Sequence, residues 1–137
     1  MNFKSLIISI VVAFVAVWVT DFIIHGIWLA PTYGATKQLW RPEAEMMKRM
    51  PWMFLGQGIV ATAITTIYAA FVAEKRSFQS VLLYAICVAL LVGGGNVIMY
   101  AVQPYPGSLV AKWFLASVVQ MVLIGTVLFW VYRPQLK

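Results

Sequence analysis

Asp21 and His25 are the residues of this chain whose types and spacing could do chemistry inside a membrane. Between Phe3 and Ala30 the sequence is predominantly apolar, and its only ionisable side chains are Lys4 and these two residues. About 20 apolar residues suffice for a helix to cross the hydrocarbon core, so this stretch predicts a membrane span. An acid and an imidazole four residues apart share one face of such a helix. A charge at that depth costs roughly 3 kcal/mol, so the pair requires partners or a function.

Three roles fit an Asp–His pair in a membrane helix, and the sequence leaves all three open. The two side chains could satisfy each other within a hydrogen-bonded network that fixes the packing of the helices. They could hold a transition metal or another cofactor, with Glu43 and Glu45 as weaker candidate ligands. They could also pass a proton or a substrate, because burial favours the neutral form of each group.

No motif of a known catalytic chemistry accompanies the pair. The sequence contains no G-x-S-x-G nucleophile motif, and the run of glycines at 93–95 lies inside an apolar stretch without a following Lys-Ser or Lys-Thr. The single cysteine, Cys87, excludes an internal disulfide and a thiolate cluster, and we expect it to be a small buried apolar residue. We therefore expect no catalytic residues and no enzyme activity from this chain alone.

The composition indicates an integral membrane protein of one domain, residues 1–137. Of its residues 63% are hydrophobic and 10% are charged, whereas a soluble domain usually has about 25% charged residues. The net charge of +6 is spread over short loops. This pattern favours contact with anionic lipid headgroups of the bilayer and argues against nucleic-acid binding.

The elements that must position the pair are four predicted spans, at about 4–30, 52–73, 80–102 and 109–132. Ala30-Pro31 is predicted to end the first span, and Pro51 to open the second. The short links predict an all-α, up-down four-helix bundle with both termini on one side. In the only long link, residues 42–50 predict a short helix on the membrane interface, with Glu45 paired to Arg49.

The basic residues divide evenly between the two sides of the predicted bundle. The side of the termini has Lys4, Lys75, Arg76, Arg133 and Lys137; the opposite side has Lys37, Arg41, Lys48, Arg49 and Lys112. The positive-inside rule therefore does not choose an orientation. We expect both termini to be cytoplasmic.

Each predicted span places a polar side chain in the half of the membrane opposite the termini, roughly 8 to 16 Å below the boundary by helical rise. These residues are Asp21, His25, Gln57, Asn96, Ser117 and Gln120. Small residues accompany Gln57 and Asn96 at four-residue spacing, which favours the bundle interior. The sequence therefore predicts that the six side chains converge in a polar intramembrane cluster.

Several segments together resemble a family of small bacterial membrane proteins with four predicted spans and a domain of unknown function. They are Asp21-Phe22-Ile23-Ile24-His25-Gly26, Leu29-Ala30-Pro31-Thr32-Tyr33, Leu39-Trp40-Arg41-Pro42-Glu43-Ala44-Glu45-Met46 and Tyr105-Pro106-Gly107-Ser108-Leu109 with Trp113-Phe114. The resemblance covers nearly the whole chain. It implies a four-helix fold in the bacterial inner membrane and no established activity.

Two functions follow as expectations. The first is an accessory or scaffolding subunit, because the chain has little soluble surface and its helix faces suit packing against other membrane subunits or copies of itself. The alternative is a subunit with an intramembrane site for a metal, a cofactor or a proton, centred on Asp21 and His25.

Overall fold

The protein is an all-α membrane bundle, which confirms the predicted fold class. The computed structural model describes residues 1–75 and 77–135, so Arg76 and Lys137, two of the basic residues assigned above, lie outside the described residues. Four helices are long and apolar enough to cross a membrane, and they run from Phe3 to Trp28, Met50 to Phe71, Phe78 to Val102 and Gly107 to Val131. These bounds lie within a few residues of the predicted spans.

Six α-helices make up the described chain, with a π-helical segment after the first. They are α1 (Phe3–Asp21), continued by the π-helix Phe22–Trp28, then α2 (Ala30–Ala35), α3 (Glu43–Lys48), α4 (Met50–Phe71), α5 (Phe78–Val102) and α6 (Gly107–Val131). Short 3₁₀ turns lie at Lys37–Leu39 and Ala73–Lys75. Pro51 lies in the first turn of α4, where backbone N–H groups have no partner within the helix, so its missing N–H costs no hydrogen bond.

The bundle core lies where α1 packs against α4 and α6, and where α5 packs against α6. The small-residue face of α4 is buried, with Ala61 and Thr65 fully enclosed. On α5, Ala85 and Ala89 are also fully enclosed. At Gly93 a Cβ would lie only 2.6 Å from Cδ2 of Phe114, so glycine lets α6 approach closely. These contacts agree with the predicted interior faces.

The two ends of the chain lie at the same end of the bundle. The backbone N–H of Asn2 donates to the Tyr132 hydroxyl at 3.2 Å, and the backbone N–H of Arg133 donates to Ser5 Oγ at 2.7 Å. These bonds join the start of α1 to the residues after α6. The six polar residues of interest lie towards the other end.

The connection between α1 and α4 differs from the prediction in two details. The chain does not leave helical geometry at Ala30-Pro31. The π-helix ends at Trp28, Leu29 follows it, and Pro31 lies in the first turn of α2. The ion pair predicted between Glu45 and Arg49 is wrong. Arg49 lies beyond the end of α3, and Glu45 instead lies 3.9 Å from Arg41.

Cys87 also differs from its expected position. It is exposed on the outer face of α5 rather than buried in the core. This places the thiol on the surface that an apolar span turns towards lipid.

Candidate intramembrane binding site

Asp21, the last residue of α1, accepts hydrogen bonds from two other helices. Gln57 Nε2 of α4 donates to Asp21 Oδ2 at 2.7 Å, and Gln120 Nε2 of α6 donates to Asp21 Oδ1 at 2.7 Å. Gln120 Nε2 also lies 2.8 Å from Thr20 Oγ1, whose own proton is directed to a carbonyl of the preceding turn. One carboxylate thus joins three helices, and both of its oxygens accept from neutral amides.

No basic partner neutralises Asp21 in the described part of the chain. The ion pair found there, between Arg41 and Glu45, lies elsewhere. Two amide N–H groups are donors that suit an ionised carboxylate, because such a group can only accept. The carboxyl group of Asp21 is therefore held by two amides and has no counter-ion among the described side chains.

His25 does not bond to Asp21, which corrects the predicted mutual pair. Its Nδ1 lies 2.6 Å from the hydroxyl of Tyr33, whose oxygen is also 2.8 Å from Trp113 Nε1. The winding explains the difference, since the Leu29 N–H bonds to the Ile24 carbonyl in a five-residue π turn. Residues there advance by a smaller angle than in an α-helix, so α-helical spacing misplaces His25.

Trp113, Tyr33 and His25 form a three-residue hydrogen-bonded chain. An indole can only donate, so the Tyr33 oxygen accepts from Trp113. The same hydroxyl is paired with His25 Nδ1, and the direction of that bond depends on the tautomer of the imidazole. Burial raises the pKa of Tyr33, and the hydrogen bond from Trp113 partly opposes this. The phenol of Tyr33 therefore keeps its proton at neutral pH.

All six residues of the predicted polar cluster line one cavity of about 500 Å³, called here the chamber. They are Asp21, His25, Gln57, Asn96, Ser117 and Gln120. Ser117 contributes little polarity, because its hydroxyl lies 2.8 Å from the Phe114 carbonyl of its own helix. The rest of the wall is mostly apolar, with Val17, Val60 and Met121 among its residues.

The chamber retains one buried acceptor that the described residues do not satisfy. Gln57 is only 9% exposed, and its Oε1 has no hydrogen-bond partner in the described chain. A buried acceptor without a partner costs about 1–3 kcal/mol. Together with Asp21, it makes the chamber a place suited to a hydrogen-bond donor or a cation.

A second cavity of about 710 Å³ lies beside the chamber, and we call it the vestibule. His25 and Trp113 line both cavities. The other residues of the vestibule are Tyr33, Lys37, Gln38, Trp40, Arg41, Pro42, Glu43 and Met46. His25 and Trp113 therefore stand between a cavity that contains an acid and one that contains basic residues.

The candidate metal ligands are not gathered around one point. Asp21 lines the chamber and Glu43 lines the vestibule, while Glu45 faces Arg41. Among residues 1–75 and 77–135, no group of three or more His, Cys, Asp or Glu side chains could hold a metal ion. The geometry thus gives no support to the predicted metal site.

Sequence reasoning missed Tyr33, Trp113 and Thr20 as members of the site. Tyr33 and Trp113 lie near a membrane boundary, where aromatic residues are common, so their types alone do not mark a site. Thr20 directly precedes Asp21 and is a possible signal, because a hydroxyl beside an acid is a natural second acceptor for an amide.

Comparisons with known proteins give no assignment. No protein-family model matches the chain, no curated protein matches it, and no solved structure matches it. The family resemblance stated from the sequence stays a prediction. The fold and the site define a four-helix membrane bundle with an acid-centred cavity between its helices.

Proposed function

We propose that this chain binds a small organic cation in the chamber, with Asp21 as its counter-ion. The observation that supports this most directly is the carboxylate of Asp21, which is held by two amides and has no basic partner among the described residues. An ammonium group about 4 Å from a carboxylate gains about 4 kcal/mol at an effective dielectric constant of about 20. That gain is comparable with the cost of a charge at membrane depth, roughly 3 kcal/mol.

The walls of the chamber favour an organic cation over a metal ion. A metal would need several anionic or imidazole ligands at one point, and the described side chains do not provide them. An alkylammonium needs one carboxylate, apolar walls and an aromatic face. Asp21, Val60 and Trp113 line the chamber and are of these three kinds.

Neutral groups complete the proposed recognition. The Oε1 atom of Gln57 and the side chain of Asn96 can accept hydrogen bonds from a ligand hydroxyl or ammonium. His25 forms no ion pair with Asp21 in the described chain, so the acid is left to the ligand. The ligand would therefore meet one negative charge and several neutral acceptors.

Calorimetric titration of the detergent-solubilised protein with choline and with its neutral analogue 3,3-dimethylbutan-1-ol tests this proposal. The two probes have nearly the same shape, and only choline is charged. We expect choline to bind the native protein and to lose at least about tenfold in affinity in Asp21→Asn, the equivalent of about 1.4 kcal/mol. The matched control is Glu74→Gln, which also converts an acid to an amide but lies outside the chamber.

Two results would overturn the proposal. One is equal binding of choline by the native protein and Asp21→Asn. The other is binding of the neutral alcohol as tightly as choline, since the charge would then play no part.

The remaining sequence expectations fit within this proposal. A bundle that binds a cation can also be an accessory subunit of a larger membrane complex or a homo-oligomer. We further propose the bacterial inner membrane with both termini in the cytoplasm. The hydrogen bonds of Asn2 and Arg133 support a common end for the termini.

A further inference from the structure

The vestibule extends from a membrane span to the segment that follows it. His25 lies within the first span, which ends at Trp28. Lys37 and Arg41 lie in the connection that precedes the second span at Met50. The cavity therefore extends from the hydrocarbon region of the membrane to the level of the lipid headgroups. A molecule that filled it would have one end in each environment.

The apolar part of the vestibule is built from packed aromatic side chains. The ring of Trp40 stacks on Tyr105 at a centroid distance of 5.5 Å and meets the edge of Trp113 at 6.2 Å. Trp40 Nε1 also donates to Thr36 Oγ1 at 3.0 Å, which fixes the ring. Met46 adds a flexible apolar side chain of the kind that adapts to an alkyl chain.

The charged part of the vestibule is basic and only weakly compensated. Lys37 forms no ion pair and no side-chain hydrogen bond in the described chain. Arg41 lies 3.9 Å from Glu45, and both side chains are more than half exposed, so that pair contributes little. Glu43 is the one acid that lines the cavity. Two cations therefore face one carboxylate there.

Other basic residues at this end of the bundle strengthen the positive field but do not line the cavity. They are Lys48, Arg49 and Lys112, and Lys112 Nζ donates to Thr32 Oγ1 at 3.0 Å. They provide a comparison between general attraction to an anionic surface and binding at a defined place.

We propose that the vestibule is a binding site for an anionic phospholipid of the bilayer. Lys37 and Arg41 contact the phosphate, and an acyl chain lies along Trp40, Met46 and Trp113. Charge complementarity and the position of the cavity at the end of two spans both fit this ligand. The site is distinct from the cation site at Asp21 and does not depend on it, because the acid is not among the residues that line the vestibule.

Native mass spectrometry of the detergent-solubilised chain tests the proposal by titration with three probes. They are phosphatidylglycerol, phosphatidylcholine with the same acyl chains, and glycerol phosphate without acyl chains. We expect phosphatidylglycerol to bind most tightly. Since each Lys or Arg near a lipid surface gives about fivefold in affinity, Lys37→Gln with Arg41→Gln should weaken binding roughly 25-fold.

The matched control is Lys48→Gln with Arg49→Gln, which removes the same residue types from the same end of the bundle. We expect it to weaken binding less than about threefold, because electrostatic attraction without contact is screened. All four side chains are exposed, and circular dichroism checks that each variant keeps its helix content. Should the double variant lose helix, Lys37→Gln alone is used, with about a fivefold loss expected.

Three outcomes would overturn the proposal. Equal weakening in both double variants would show general surface attraction. Equal binding of phosphatidylcholine would remove the role of charge. Binding of glycerol phosphate as tight as that of phosphatidylglycerol would identify a site for free anions rather than for a lipid.

Discussion

Replacing Asp21 by alanine tests whether its carboxylate joins the helices energetically as well as geometrically. The substitution removes the acceptor of both Gln57 and Gln120, each bonded at 2.7 Å. Interhelical hydrogen bonds in membranes contribute about 0.6–1.7 kcal/mol each. We expect Asp21→Ala to lower the free energy of unfolding by about 1–3 kcal/mol, after a small gain from the higher helix propensity of alanine.

Cys87→Ala is the matched reference for this measurement. Its thiol is exposed on α5, so its removal should change the free energy of unfolding by less than about 0.5 kcal/mol. Both variants are unfolded in mixed detergent micelles by added dodecyl sulfate and followed by circular dichroism. A difference between them below about 0.5 kcal/mol would refute the conclusion that Asp21 holds the bundle together.

A double-mutant cycle separates the bond from other effects of the substitution. Gln120→Ala is measured alone and together with Asp21→Ala. Because the two side chains bond directly, we expect a coupling energy of about 0.6–1.7 kcal/mol. Coupling near zero would mean that the two substitutions act independently, contrary to the observed contact.

Three further outcomes are expected. Gly93→Ala should lower the free energy of unfolding, measured by thermal melts, by about 1–3 kcal/mol, because its Cβ would lie 2.6 Å from Phe114. Gly94→Ala, with open space around it, should be neutral or stabilising. Equal effects of the two substitutions would refute the packing argument. Tyr33→Phe should lower the free energy of unfolding by about 1–3 kcal/mol. Tyr100 is exposed and its hydroxyl forms no hydrogen bond in the described chain, so Tyr100→Phe should leave that free energy almost unchanged. Equal thermal stability of the two variants would contradict this. Burial raises the pKa of Tyr33 above its ordinary value of 10.0. The contribution of Tyr33 to stability is therefore complete below pH 10 and is lost as the pH rises through the pKa of the folded state. If the stability of the native protein falls no more steeply with alkaline pH than that of Tyr33→Phe, this prediction is refuted.

The sequence predicted the parts of the fold that depend on helical periodicity and length. The length of the apolar runs predicted the four spans. The positions of Gln57 and Gln120 along their helices indicated the depth of these side chains in the membrane. Small residues such as Ala61 at four-residue spacing indicated the interior face. The convergence around Asp21 could be inferred because regular helices make position and direction calculable.

The partners within the site could not be predicted in the same way. The expected bond between Asp21 and His25 assumes α-helical winding, and no composition signal marks the π turn that replaces it. Tyr33 reaches His25 only because α2 continues the helical path after Leu29. Glu45 likewise pairs with Arg41 rather than with Arg49, because the six-residue helix α3 ends before Arg49.

The π-helical winding of Phe22–Trp28 affects more than the position of the His25 ring. The same segment could be wound with one residue fewer per turn, and the chain beyond it would then rotate by about 100°, the angle of one residue. Such a rotation would carry Tyr33 away from Trp113 and open the partition between the acidic and the basic cavity. The wide turn thus sets the rotational position of α2 relative to α1, and with it the wall that separates the two cavities.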